Sequence, residues 1–201
     1  MKVEQKNKIL VLLFFGIYSY IFVINNLFYT STFGADYQKY VVYLEYFFDF
    51  KNDTNIDQSP LYYSLVSIIL NFVSNFSSPF TLQYDISFAI QLTNNILILI
   101  GILGIYNLLK QLKIEKKKIL SIIILINFFP PLQSLKLTMK PEVLIFSLLP
   151  WLIYFLKNYL HQKNQINLVF AIIPTILIAS SKGTGFAIIG LFLFIIFFEI
   201  L

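Results

Sequence analysis

Apolar residues run along this chain in long blocks, at about 9–28, 61–76, 86–109, 119–135, 143–156, 166–180 and 184–201, with charged or helix-breaking residues between them. A helix needs about 15 to 25 such residues to cross a hydrocarbon layer of about 30 Å. The pattern therefore predicts an all-α polytopic membrane protein, forming a single transmembrane domain over 1–201. The first block, Ile9 to Phe28, follows Lys2, Lys6 and Lys8 as a signal peptide would. It is too long for a signal h-region, however, and no small-x-small cleavage site follows it, so it is expected to stay as the first span.

Block 61–76 is the ambiguous one. If it crosses like the others, the cluster "KQLKIEKKK" (Lys110 to Lys118) falls outside, and the loops carry six lysines inside against nine outside. If it lies along the membrane or re-enters, the count becomes ten inside and five outside, which obeys the positive-inside rule. Ser64, Ser67, Asn71, Ser74 and Asn75 also interrupt its apolar face, which suits a surface helix. The expected architecture is about six transmembrane helices, with an amphipathic or re-entrant helical outer loop (29–85) between the first two. The amino terminus is cytoplasmic, and outer turns follow at 133–142 and 180–183.

Composition agrees: 58% of residues are hydrophobic, 12% are charged and the mean hydropathy is +0.76, outside the range of water-soluble domains. Cysteine is absent, so disulfides and thiolate chemistry are excluded. All fifteen basic residues are lysines. The net charge of +5 is a matter of membrane topology, and no nucleic-acid signal accompanies it. His161, the lone histidine, has no partner with metal-ligand spacing and reads as a loop residue.

The predicted outer loop is acidic. Asp36, Glu45, Asp49, Asp53, Asp57 and Asp85 stand there against Lys39 and Lys51. In "FGADYQKYVVYLEYFFDF", Tyr37, Tyr40, Val41, Leu44 and Phe48 form one apolar stripe of a helix resting on the membrane, and Glu45 and Asp49 share its wet side. Asp36 and Glu45 point to opposite sides, so they are no catalytic pair on one regular helix. Asp36, just past Gly34 and Ala35, reads as a helix N-cap or as a base held near the membrane, and the residues alone favour the cap. In "TMKPEVL", Lys140, Pro141 and Glu142 read first as an ordinary helix entry. In "ASSKGTGF", Lys182 beside Gly183 and Gly185 either snorkels to the interface or meets an anion.

Taken in order, a first span, an outer loop opening with "GADYQKY", then "SPLYYSLVSIIL", a span ending in "LLKQLK", an outer "MKPE" and "ASSKGTG" resemble the amino-terminal half of polytopic C-type glycosyltransferases. These include the protein O-mannosyltransferases and the bacterial transferases that use polyprenyl-phosphate sugars. The resemblance covers most of the chain through short, degenerate motifs. It implies that Asp36 is the catalytic carboxylate and that Lys140 and Glu142 lie near the acceptor or the lipid phosphate. Lys182 is implied as a phosphate contact. The partners it implies are a lipid-linked sugar donor and membrane lipids. With no arginine in the chain, the phosphate must be met by lysines, tyrosine hydroxyls or backbone N–H groups, with or without a divalent metal ion.

The chain stops within an apolar block at "FFEIL", with fewer spans than these enzymes carry, and is expected to be the amino-terminal part of a longer unit. Heavy use of Ile, Lys, Asn and Phe suits an AT-rich genome and favours a bacterial plasma membrane, with an endoplasmic reticulum membrane as the eukaryotic equivalent. Two other functions stand beside sugar transfer: a transporter or lipid flippase, and a non-catalytic membrane scaffold. Every charge except Glu199 falls at a predicted loop or span boundary and no internal repeat appears, which counts against transport.

Overall fold

A computed structural model describes residues 12, 15–25, 41–44, 60–75, 82–181 and 185–200. Among the described residues every regular element is helical. Besides a helical stretch at 41–44, they are in chain order α1 (Phe15–Asn25), α2 (Leu61–Ser74), α3 (Leu82–Gln111), α4 (Lys116–Phe128), α5 (Pro130–Leu137), α6 (Glu142–Gln162), α7 (Gln165–Ala179) and α8 (Gly185–Ile200).

Two of these are long and apolar enough to cross a membrane: α3, over Asp85–Gln111, and α6. Joined as one bent span, α4 and α5 make a third. Helices α1, α2, α7 and α8 are apolar but shorter. At 1.5 Å per residue, the 15 residues of α7 reach only about 22 Å. Asn164 caps its start by accepting the Ile166 N–H at 3.0 Å, and the chain turns at Ser180.

Block 119–135 departs from the single span expected of it. The chain breaks between α4 and α5 with a bend of 59°. The cause lies in "FPP": Phe129 is extended (φ −66°, ψ 123°), as a residue before proline prefers, and Pro130 opens the new helix where its missing N–H costs nothing. By contrast, Pro150 and Pro174 lie inside continuous helices.

Helices α3 and α6 run parallel. Gly101 faces Phe146, Gly104 faces Pro150 and Trp151, the Trp151 Nε1–H donates to the Ile100 carbonyl at 2.9 Å, and Gln111 Nε2 donates to Asn158 Oδ1 at 2.7 Å. The residue numbers rise together along both helices. The glycines make this approach possible, because a Cβ at Gly101 would come within 2.9 Å of the Phe146 carbonyl oxygen. Since α3 and α6 point the same way, α4 and α5 together carry the chain back alongside them.

Helix α1 runs against α3, with Tyr18 beside Asn95 and Phe22 edge-on to Phe88 at 6.0 Å. Helix α7 runs back along α6, and Phe155 stacks on Phe170 at 5.3 Å. The bundle therefore has two distinct ends. One holds the α3–α4 turn with Lys110 to Lys118 and the α6–α7 turn with Lys163. The other holds Lys140 and Glu142. Ser181 is at that second end too, since it lies as far past Phe170 as Leu144 lies before Phe155.

Helix α2 packs against α3. Tyr62, Tyr63, Val66, Ser67 and Leu70 are buried, while Ile68 and Phe72 face outward. Its 14 residues give about 21 Å, short of a crossing.

Candidate functional site

A layer of polar side chains is buried where α1, α2, α3, α4 and α5 meet. Its centre is Asn94 on α3. The Tyr62 hydroxyl donates to Asn94 Oδ1 at 2.8 Å, and Asn94 Nδ2 donates to the carbonyls of Leu135 and Thr138, both at 2.8 Å. Those two carbonyls belong to the end of α5 and the residue after it, where a helix has no further N–H donors of its own to offer and leaves C=O groups over. One amide thus ties α2, α3 and α5 together. Beside it the Tyr18 hydroxyl donates to the Asn95 carbonyl at 3.2 Å, and Asn95 Nδ2 donates back to Gln91 O at 2.7 Å.

Lys136 is the charge within this layer, only 2% exposed. Its ammonium meets Asn127 Oδ1 at 3.4 Å and sits 4.6 Å from the centre of the Tyr18 ring. No carboxylate pairs with it among the described residues. An ammonium has three donors, and one long hydrogen bond plus a ring face satisfy it poorly. Asn127 also accepts at its backbone carbonyl from Gln133 Nε2. The last turn of α4 and the body of α5 are thereby clasped across the proline break.

Lys136 corrects the expectation that all charges except Glu199 sit at loops or span boundaries. The missed signal was the "PP" at 130–131. A break there makes 130–137 a helix of its own, and Lys136 then falls in its last turn, where a cation is favoured by the dipole, rather than in an exposed outer turn.

The four residues singled out from the sequence fare differently. Lys140 is exposed and Glu142 half-buried, at the helix entry expected for "MKPEVL": Pro141 precedes the first residue of α6 with φ −58°, and the Val143 N–H returns to the Lys140 carbonyl at 3.2 Å. The negative side chain of Glu142 meets the positive end of the α6 dipole. Asp36 and Lys182 lie outside the described residues. Lys140 and Glu142, two residues apart in the chain, thus lie about level with the Asn94 layer by the α3–α6 register, and the layer adds Lys136.

For a metal ion the described residues offer little: no group of three His, Asp or Glu side chains among them could hold one. Compared with protein-family models, with curated proteins and with solved structures, the chain matches none of them. The membrane character rests on the apolar helices themselves, two or three of which could span a bilayer.

Proposed function

We propose that this chain is the membrane portion of a glycosyltransferase that moves a sugar from a polyprenyl-phosphate donor to an acceptor at the bundle end carrying Lys140 and Glu142. The observation that carries the reading is the concentration at that end of a buried lysine with no carboxylate partner among the described residues (Lys136) and an exposed lysine (Lys140). A departing lipid phosphate needs that chemistry in a protein without arginine. The failure of α2 to reach across a bilayer also supports it, since the resemblance calls for helices lying along the membrane after the first span.

In this mechanism Asp36 accepts the proton of the acceptor hydroxyl as its oxygen attacks the anomeric carbon, and the C–O bond to the lipid phosphate breaks. Lysine charge balances the phosphate as it leaves. Lys182 joins Lys140 in that role, and Glu142 orients the acceptor or the lysine. The test is transfer of a radiolabelled sugar from a polyprenyl-phosphate donor by reconstituted full chain. Transfer is expected from the native sequence and is abolished by Asp36→Asn with insertion intact; activity that survives Asp36→Asn removes that residue from the role.

A second reading is favoured by one specific observation, the broken α4–α5 pair with a lysine buried beside the break. Transporters build substrate sites from discontinuous helices and interior charges. Movement of a lipid-linked or soluble anion across liposomes, without any sugar transfer, would select it.

A further inference from the structure

The bundle end opposite Lys140 carries the strongest charge asymmetry of the described residues. In the α3–α4 turn Lys110, Lys113, Lys116, Lys117 and Lys118 are all exposed. Lys163 in the α6–α7 turn is exposed as well, and the Gln111–Asn158 hydrogen bond holds the two turns side by side. Only Glu115 opposes these six lysines among the described residues, and it reaches Lys118 at 3.8 Å with both side chains more than two-thirds exposed. Such a pair neutralises little.

The backbone reverses at the same spots. Lys113 and Lys163 both adopt left-handed conformations, with φ 59° and 52°. Each is a non-glycine residue ending a helix, and Lys163 donates its N–H to the Tyr159 carbonyl at 2.7 Å. Below the lysines the surface turns apolar at once: Leu112, Ile124, Leu125, Ile166 and Phe170 are all more than 40% exposed. Cations rimming an exposed apolar wall match a phospholipid, with phosphate at one level and acyl chain beneath it.

We infer that this basic end is a binding surface for anionic phospholipid headgroups, with the acyl chains lying against the apolar residues below. The α3–α4 and α6–α7 turns act as one patch on the anionic leaflet. The inference does not depend on sugar transfer, since it concerns the other end of the bundle.

Trp151 supplies a reporter. It is the only tryptophan in the chain, its indole is tied to the Ile100 carbonyl, and it lies roughly 10 Å along α6 from Asn158 by helical rise. Bromine atoms part-way down a lipid chain reach that depth. The full chain would be reconstituted in bilayers holding equal fractions of brominated phosphatidylglycerol or brominated phosphatidylcholine, and Trp151 quenching compared.

The expected result is stronger quenching by the anionic lipid, by about twofold or more at low salt, falling towards equality as salt screens the lysines. Replacing Lys110, Lys113, Lys116, Lys117 and Lys118 together with glutamine should remove the preference, and replacing them with arginine should keep it. Equal quenching by both lipids in the native chain would overturn the inference, as would a preference that survives both high salt and the glutamine variant. The salt series on the native chain decides the matter even if the glutamine variant fails to insert.

Discussion

At the scale of single residues, the structure turns on two buried polar side chains with opposite economies. Asn94 is fully used: it accepts one hydrogen bond and donates two. Replacing it by leucine removes three buried hydrogen bonds in a water-poor interior, and each bond within a membrane bundle is worth roughly 1 kcal/mol. Asn94→Leu should therefore lower stability by about 2–3 kcal/mol, read as a fall in unfolding midpoint of the purified chain in detergent. Lys136 is the reverse. Desolvating an ammonium costs several kcal/mol, while a ring face returns about 1–2 kcal/mol and a 3.4 Å contact to Asn127 very little. Lys136→Met should accordingly leave stability unchanged or raise it by about 1–3 kcal/mol. A fall in midpoint would mean that Lys136 has a partner more valuable than those found. If sugar transfer is lost while the midpoint rises, the lysine is retained for function at a cost to the fold.

At the scale of elements, close approach and breakage decide where the site lies. Gly101 and Gly104 let α3 and α6 touch, and that contact sets Glu142 level with Asn95. Gly101→Val must move the Phe146 backbone or ring, both already within about 3 Å of the missing Cβ. It should cost about 1–3 kcal/mol, measured as a lower midpoint, and Gly190→Val should cost far less because nothing lies within 4 Å of its missing Cβ. The helical blocks themselves were legible in the sequence because a membrane span is written in length and hydropathy alone. The α4–α5 break had its signal in Pro130 and Pro131, but apolar continuity across 119–135 concealed it and a single span was expected there. What could not be read was the burial of Asn94, Asn127 and Lys136. Hydropathy averages over a window and takes no account of which face of a helix meets a neighbour, so three polar residues in apolar surroundings look like noise until the packing gives them partners. Of the four site residues named from the sequence, Lys140 and Glu142 occupy the helix entry that Pro141 dictates, and Asp36 and Lys182 fall outside the described residues.

For the molecule as a whole, the parallel course of α3 and α6 makes a demand that needs no knowledge of function. The chain leaves α3 at Gln111 and enters α6 at Glu142, and the numbers of facing residues rise together, so the α3–α4 and α6–α7 turns share one end while Lys140 lies at the other. In a bilayer spanned by α3 and α6 those ends are opposite faces. The positive-inside rule predicts that the lysine-crowded end faces the cytoplasm. A chain without cysteine tests this cleanly, because Lys117→Cys, Lys163→Cys and Lys140→Cys each introduce a single thiol. In intact cells an impermeant thiol reagent should label position 140 and leave 117 and 163 untouched until the membrane is opened. Labelling of 117 and 163 with 140 protected would keep the helix arrangement and invert its orientation. If 117 and 163 fell on different faces, α3 and α6 could not both span in parallel, and the site proposed at the Lys140 end would lose its basis.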